Sequence, residues 1–317
     1  MRRLPLAPKL GSVSVVIPCF NASETIGETI QSAISQEGVD LDVLVIDDGS
    51  TDASMDIVRR FGSVTRILSR PHRGVSAARN LGIAETNSEW LVFLDSDDVL
   101  LPETLKKRLD AANATGADVI ICDWQDIIGW GQTIPDKQVK SLDTSALATD
   151  GEIACATHVW ATTAAVMYRR PMVEKIGGFR EDLPVIQDAR FLFDAAYHGA
   201  RFAYSPHVGA WYRRLPESLS RRDPALFWRD VLLNGKQIET LWRTRGPLSP
   251  KQVNALFEIF ENAARGLYAV AHPEFFEAAN RQRMLAGQFS RHSLISLLLA
   301  RVLGLNWARH LLRVVGR

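Results

Sequence analysis

Along the first 122 residues, short apolar runs alternate with stretches whose apolar positions recur every three or four residues. The runs at residues 13–17, 43–46, 64–68, 90–94 and 119–122 are four or five residues long, mostly aliphatic and β-branched. Such runs predict strands buried on both faces rather than helices. Between them Ile26, Ile30, Ala33 and Ile34 keep helical spacing, as do Leu105, Leu109 and Ala112, with Pro102 suited to the first turn of the latter helix. Repeated alternation of strand and helix implies right-handed crossovers and a mostly parallel sheet, an α/β fold of Rossmann-like type.

The pattern weakens over residues 123–150, where Gly129, Gly131 and Pro135 predict loops with short irregular strands. Apolar alternation returns at residues 164–168, Gly177-Gly178-Phe179 breaks the chain, and a helix is predicted over residues 187–197. Residues 202–212 predict a pair of short strands. Beyond Pro224 the pattern is helical almost to the end, punctuated by Pro247, Pro250 and Pro273. The chain is therefore expected to comprise an α/β domain, residues 1–222, followed by a helical region, residues 223–317.

In open parallel sheets ligands bind beyond the carboxyl ends of the strands, so the residues following each run carry the functional information. Here they are polar: Pro18-Cys19-Phe20-Asn21 after the first run, Asp47-Asp48-Gly49-Ser50-Thr51-Asp52 after the second, and Asp95-Ser96-Asp97-Asp98 after the fourth. Two carboxylates at one strand end suit a hard divalent cation, which can bridge a diphosphate that bare carboxylates would repel. The same acids also suit turns and helix caps. Composition narrows the setting. At 46% hydrophobic and 23% charged residues the balance is that of an ordinary globular chain. Three widely spaced cysteines form no CxxC pair, so neither a disulfide framework nor a zinc site is indicated and a reducing compartment fits. No signal-length apolar run follows the basic N-terminus, so export is not expected. No Walker loop and no GxGxxG occur, which argues against a P-loop ATPase or a dinucleotide enzyme.

Taken in order, VSVVIPCFN (13–21), VIDDGSTD (45–52), RGVSAARNLGI (73–83), LVFLDSDD (91–98) and GGFRED (177–182) resemble the motifs of the family 2 glycosyltransferases, whose nucleotide-sugar-binding fold is called GT-A. The resemblance spans roughly residues 12–220. It implies an inverting, non-processive transfer of a sugar from a nucleotide-diphosphate donor, most simply a UDP-sugar, to an acceptor hydroxyl in polysaccharide or glycolipid assembly. It implies that Asp48 holds the donor base with Pro18 lining that pocket, that Arg79 lies near the donor, and that Asp95 and Asp97 hold Mn2+ or Mg2+ with Asp98 as a helper. Asp188 becomes the catalytic base, in a Gln187-Asp188 pair where the family often has two acids; Glu181 and Asp182 are rivals. Arg213 and Arg214 would cover the leaving diphosphate, although Leu215 stands where the family often continues with His. Gln187 to Phe191 also matches part of a Q-x-x-R-W element, an accidental overlap with the acid. Trp124, Trp130 and Trp160 are each either core residues or surfaces for acceptor sugars.

Charge is uneven along the chain. After Glu277 no acid occurs, while Arg281, Arg283, Arg291, Arg301, Arg309, Arg313 and Arg317 follow. As a helix, this basic, leucine-rich end suits either an anionic membrane surface or docking on the protein's own acidic body. The expected location is cytoplasmic, with peripheral attachment to the inner membrane face if the acceptor is lipid-linked. A saccharide or lipid-linked acceptor is the expected partner, and no nucleic acid. Two rivals share the pattern: a haloacid dehalogenase-type phosphatase with Asp95 as nucleophile, and an inactive nucleotide-sugar-binding protein.

Overall fold

The computed structural model describes residues 11–128, 132–133, 139–142, 144–215, 218–286, 295, 297–300 and 304. Trp130 and the arginines from Arg291 onward lie outside the described residues. The chain divides into two compact units, one running to Leu215 and one from Pro216, with Ala156–His158 grouped with the latter.

The first unit contains strands β1 (Ser12–Cys19), β2 (Asp40–Asp47), β3 (Arg66–Ser69), β4 (Trp90–Phe93), β5 (Val99–Leu100), β6 (Val119–Ile128), β7 (Gln132–Thr133), β8 (Val139–Lys140), β9 (Val166–Arg169) and β10 (Phe202–Arg213). Its helices are α1 (Ile26–Ile34), α2 (Ser54–Arg59), α3 (Val75–Glu85), α4 (Thr104–Thr115), α5 (Thr144–Thr157), α6 (Arg170–Ile176) and α7 (Gln187–Tyr197). One sheet runs β3-β2-β1-β4-β9-β6-β10-β5. The pairs β3/β2, β2/β1, β1/β4 and β6/β10 are parallel. The predicted parallel run is interrupted by β9, which pairs antiparallel with both β4 and β6. β1 and β4 are buried throughout, as aliphatic strands covered on both faces must be. Helix α3 lies tight on β1 because Gly82 has no side chain: a Cβ there would sit 2.2 Å from Val16 Cγ1.

Several boundaries differ from the sequence reading. Val64 belongs to a 3-10 turn and is 59% exposed; the edge strand begins two residues later, at Arg66. Pro102 precedes α4 instead of opening it. The expected loop region after residue 122 begins as a continuation of β6, which keeps its partner β10 alongside. Residues 202–212 form one strand, because register shifts at Ser205/Val208 and Val208/Ala210 absorb the irregularity without ending the pairing.

The second unit holds α8 (Leu219–Arg222), α9 (Pro224–Thr244), α10 (Pro250–Ala269) and α11 (Phe275–Ala286). Asp223 caps α9 by accepting from Ala225 N and Leu226 N at 3.0 Å, with Pro224 in the first turn. Ser249 and Gln252 form a reciprocal capping box on α10. Arg281, the first arginine of the acid-free end, pairs at 3.1 Å with Glu239 of α9. No helix among the described residues is long and apolar enough to cross a membrane.

Candidate active site

The carboxyl ends of β2, β1 and β4 lie side by side, so their terminal turns share one edge of the sheet. At β2, Asp47 Oδ1 accepts from Ser50 N at 2.9 Å and closes the turn. Asp48 is 2% exposed, and its carboxylate accepts from Arg73 N, from Gly74 N at 2.7 Å, and from Arg70 Nε at 3.2 Å, with His72 Nδ1 at 2.8 Å. These donors bind the loop after β3 to the end of β2. Pro18 sits opposite Ile46 in the neighbouring strand. Beyond it, the 44%-exposed Phe20 stacks on His72 with ring centroids 4.1 Å apart, an aromatic pair that the sequence reading missed. Burial pushes the Cys19 thiol up to about 11, so no thiolate nucleophile is available there.

At the end of β4 the chain folds back tightly, Asp98 N donating to Asp95 O at 3.0 Å. Two threonines one turn apart on and before α1 hold this turn: Thr25 and Thr29 hydroxyls donate to Ser96 O, and Thr29 also to Asp98 O. Asp98 is fully buried and accepts from Arg213 N at 2.9 Å and Thr162 Oγ1 at 3.1 Å. It fastens β10 to the turn, and burial raises its pKa, reinforced by Asp97 and Asp95. Asp95 pairs with Arg79 and accepts from Thr163 Oγ1 at 3.4 Å. Asp97 differs: among the described residues no other side chain donates to its carboxylate. Burial and the neighbouring Asp95 raise its pKa to about 6.

Arg79, in the middle of α3, is 1% exposed and joins the separate elements. Its guanidinium donates to Asp95 and, at 2.7 Å, to Gln187 Oε1 at the start of α7, and lies 5.0 Å from the centroid of the Phe179 ring. The adjacent Asn80 brackets Phe179, accepting from its N–H at 2.7 Å and donating to its carbonyl at 2.9 Å. That approach needs Gly178, whose φ is +107° and where a Cβ would meet Asn80 Oδ1 at 2.7 Å. Helix α7 thereby brings Asp188 next to the acidic turn. Asp188 accepts from Trp160 Nε1 at 3.1 Å and from Ala189 N at 2.8 Å. Burial raises its pKa, against the lowering influence of Arg79, so it is a stronger base than an exposed aspartate. The rivals are occupied elsewhere: Glu181 pairs with Arg73, and Asp182 with Arg180.

Arg213 is 2% exposed, with Nε donating to Asp97 O at 2.8 Å and Nη2 to Glu28 of α1 at 2.5 Å. It lies against the acidic turn. Arg214 pairs with Asp126 of β6 instead. Trp124 is 3% exposed and forms core, whereas Trp160 remains 39% exposed. His207 hydrogen-bonds Thr104 and Ser205, and burial beside Arg108 lowers its pKa to about 4.

A divalent cation fits this donor set in one respect. Asp97 supplies an under-paired hard oxygen donor next to Asp95, with a carboxylate whose ionisation a cation would favour. No group of three or more His, Cys, Asp or Glu side chains among the described residues can hold a metal by itself. An ion here would rely on one or two carboxylates together with phosphate oxygens and water, as Mg2+ commonly does.

Sequence reasoning overlooked Glu28, Thr25, Thr29, Thr162, Thr163 and Phe20. Only the four-residue spacing of Thr25, just before α1, and Thr29 within it offered a signal, and it pointed to one helix face without naming the partner.

Comparisons with known proteins place this geometry in context. The description "Glycosyl transferase family 2" matches residues 14–177. The succinoglycan biosynthesis protein ExoO of Rhizobium meliloti is 29% identical over 226 residues, 68% of this chain and 65% of that protein. The cholesterol galactosyltransferase of Borreliella burgdorferi is 33% identical over 34% of this chain and 31% of its own. The chain thus spans less than two thirds of these relatives. Among solved structures, TarS 1–349 of S. aureus in complex with UDP-GlcNAc superposes with a TM-score of 0.59 at 19% identity, over 86% of this chain and 89% of that one. The mannosyltransferase PcManGT of Pyrobaculum calidifontis, in complex with GDP-Man and Mn2+, gives 0.58 at 18% identity over 95% and 83%.

Proposed function

Because the chain belongs to glycosyl transferase family 2, we propose that it transfers a sugar from a nucleotide-diphosphate donor to an acceptor hydroxyl in glycan assembly. The observation that carries this reading is the double grip of Arg79 on Asp95 and Gln187, which sets Asp188 beside the acidic turn. In the proposed reaction the acceptor hydroxyl gives its proton to Asp188 as its oxygen bonds to the anomeric carbon. The bond from that carbon to the diphosphate breaks on the opposite face, and the configuration inverts. Negative charge gathers on the departing nucleotide, where Arg213 provides a fixed cation. Asp97, with Asp95, would hold a divalent ion, which when bound supplies further positive charge to the diphosphate.

Phe20 and His72, stacked beside Asp48 and close to Pro18, are the surface proposed for the donor base. A base N–H would reach Asp48 only by displacing one of its present donors, and His72, 55% exposed, is the one most easily moved. The UDP-sugar bound by TarS and the GDP-Man and Mn2+ bound by PcManGT make UDP- and GDP-sugars with Mn2+ the first combinations to test. Arg214, paired with Asp126, is proposed to act only if that pair opens. Transfer is proposed to be single-step and non-processive, in polysaccharide or glycolipid assembly; the ExoO likeness supports only the polysaccharide setting.

The test is a panel of nucleotide sugars with Mn2+ or Mg2+, scored by thermal stabilisation and slow donor hydrolysis. One donor class is expected to stabilise the protein only with metal and to be hydrolysed slowly. Stabilisation by none of the panel, or turnover of a simple phosphate monoester in its place, overturns the reading.

A further inference from the structure

Three residues preceding β9 touch three different acids of the site. Thr162 donates to Asp98, Thr163 to Asp95, and Trp160 to Asp188. The indole of Trp160 is held on two further sides by aromatic rings, Trp124 of β6 with centroids 5.7 Å apart at 84° and Tyr212 of β10 at 5.9 Å and 77°. A side chain fixed by one hydrogen bond and two edge-to-face contacts has its ring plane set before any ligand arrives. Despite this packing, Trp160 remains 39% exposed, next to the carboxylate assigned as the base.

We infer that Trp160 is the acceptor platform: a pyranose ring stacks on its exposed indole surface, which presents one sugar hydroxyl to Asp188 while the indole N–H holds that carboxylate in place. The inference rests on the assignment of Asp188 as base. A sugar ring matches the surroundings better than a lipid chain. Its C–H face suits an aromatic ring, and its hydroxyls suit the adjoining Asp188 and Tyr212. An alkyl chain would offer neither group a hydrogen bond. Trp160 therefore does two separable jobs, stacking through the ring and positioning through Nε1.

Two variants separate the jobs. Trp160→Ala removes both, and Trp160→Phe keeps an aromatic face but loses the N–H. The probes are methyl pyranosides and short oligosaccharides, tested with whichever donor turns over. Trp160→Ala is expected to raise the acceptor KM about five- to ten-fold with unchanged donor affinity. Trp160→Phe is expected to hold the acceptor KM within about two-fold. It should move the acid limb of the kcat profile to higher pH, since the lost N–H stabilised the ionised carboxylate. Arg79, Asp95, Tyr168 and Tyr212 are the other titratable groups around Asp188 and are unchanged in both variants. An unaltered acceptor KM in Trp160→Ala, or turnover only of acceptors lacking a pyranose ring, overturns the inference. If Trp160→Ala does not fold, the pH shift in Trp160→Phe decides, and its absence counts against the proposal. Asp188→Asn run in parallel keeps the two readings apart. Its full activity would defeat the base assignment, whereas an inactive Asp188→Asn beside unperturbed Trp160 variants would defeat the platform alone.

Discussion

Two acidic turns, Asp47-Asp48 after β2 and Asp95 to Asp98 after β4, look alike in sequence and differ in how many donors the fold sends them. Around Asp48, backbone N–H groups of Arg73 and Gly74 and the side chains of Arg70 and His72 fill the carboxylate. Around the second turn the supply is uneven. Asp98 is satisfied by Arg213 N and Thr162, Asp95 shares Arg79 with Gln187, and Asp97 receives no donor from another side chain among the described residues. A carboxylate whose oxygens are filled by its own protein serves as a joint. One left short, half-buried beside another acid, has capacity for a cation.

The difference can be broken or sharpened experimentally. Asp188, placed by Arg79 next to the under-supplied turn, carries the largest expected effect: Asp188→Asn should lower transfer about a thousand-fold while donor affinity stays within about two-fold. Steady-state kinetics with a nucleotide-sugar titration measures both, and an unchanged rate removes the base assignment. Asp97→Asn and Asp48→Asn form the matched pair. The first should lower metal-supported donor affinity about a hundred-fold without loss of folding stability. The second should leave the response to metal intact but cost about 2 kcal/mol of stability, because an amide offers one acceptor oxygen where the carboxylate offers two to Arg73 N, Gly74 N and Arg70 Nε. Denaturant unfolding and donor titration of each variant would show whether the two turns divide in this way. If both variants lose only stability, the turns do not differ in kind.

The smallest effect is in pH. Asp97 has a folded-state pKa of about 6, above its unfolded value of about 3.9. Between those values the folded protein binds more protons than the unfolded one. Asp97 therefore withdraws stability as pH rises through this window, with the loss complete above about pH 6. A divalent cation with donor offsets the loss by favouring the ionised form. The rise in Tm on adding both should thus be larger near about pH 7.5 than near about pH 5. Equal rises at the two values would mean that Asp97 is not where the cation binds.

How much of this was legible beforehand varies by feature. The buried strands β1, β2 and β4 are aliphatic runs followed by polar turns, so their existence and the shared edge follow from the pattern and from the rule for open parallel sheets, whereas their order does not. The reversed β9 was not legible, because an apolar strand carries no mark of its direction when both neighbours come from distant segments. Asp48 and Asp97 were indistinguishable as letters, since the donors of the first come from residues 70–74, whereas among the described residues no other side chain donates to the second. Trp160 was visible as an aromatic near no motif. Its bond to Asp188 joins residues 28 positions apart through packing that no local periodicity encodes.

Arg79 and Asn80 are consecutive on α3, yet one reaches Asp95 and Gln187 while the other clasps the Phe179 backbone. Adding or deleting one residue earlier in that helix would turn both side chains by about 100° and release both attachments together. The part of α3 before Arg79 can therefore vary in its exposed residues but not in its length: it works as an indexed shaft whose rotational setting fixes the spacing between the acidic turn and the proposed base.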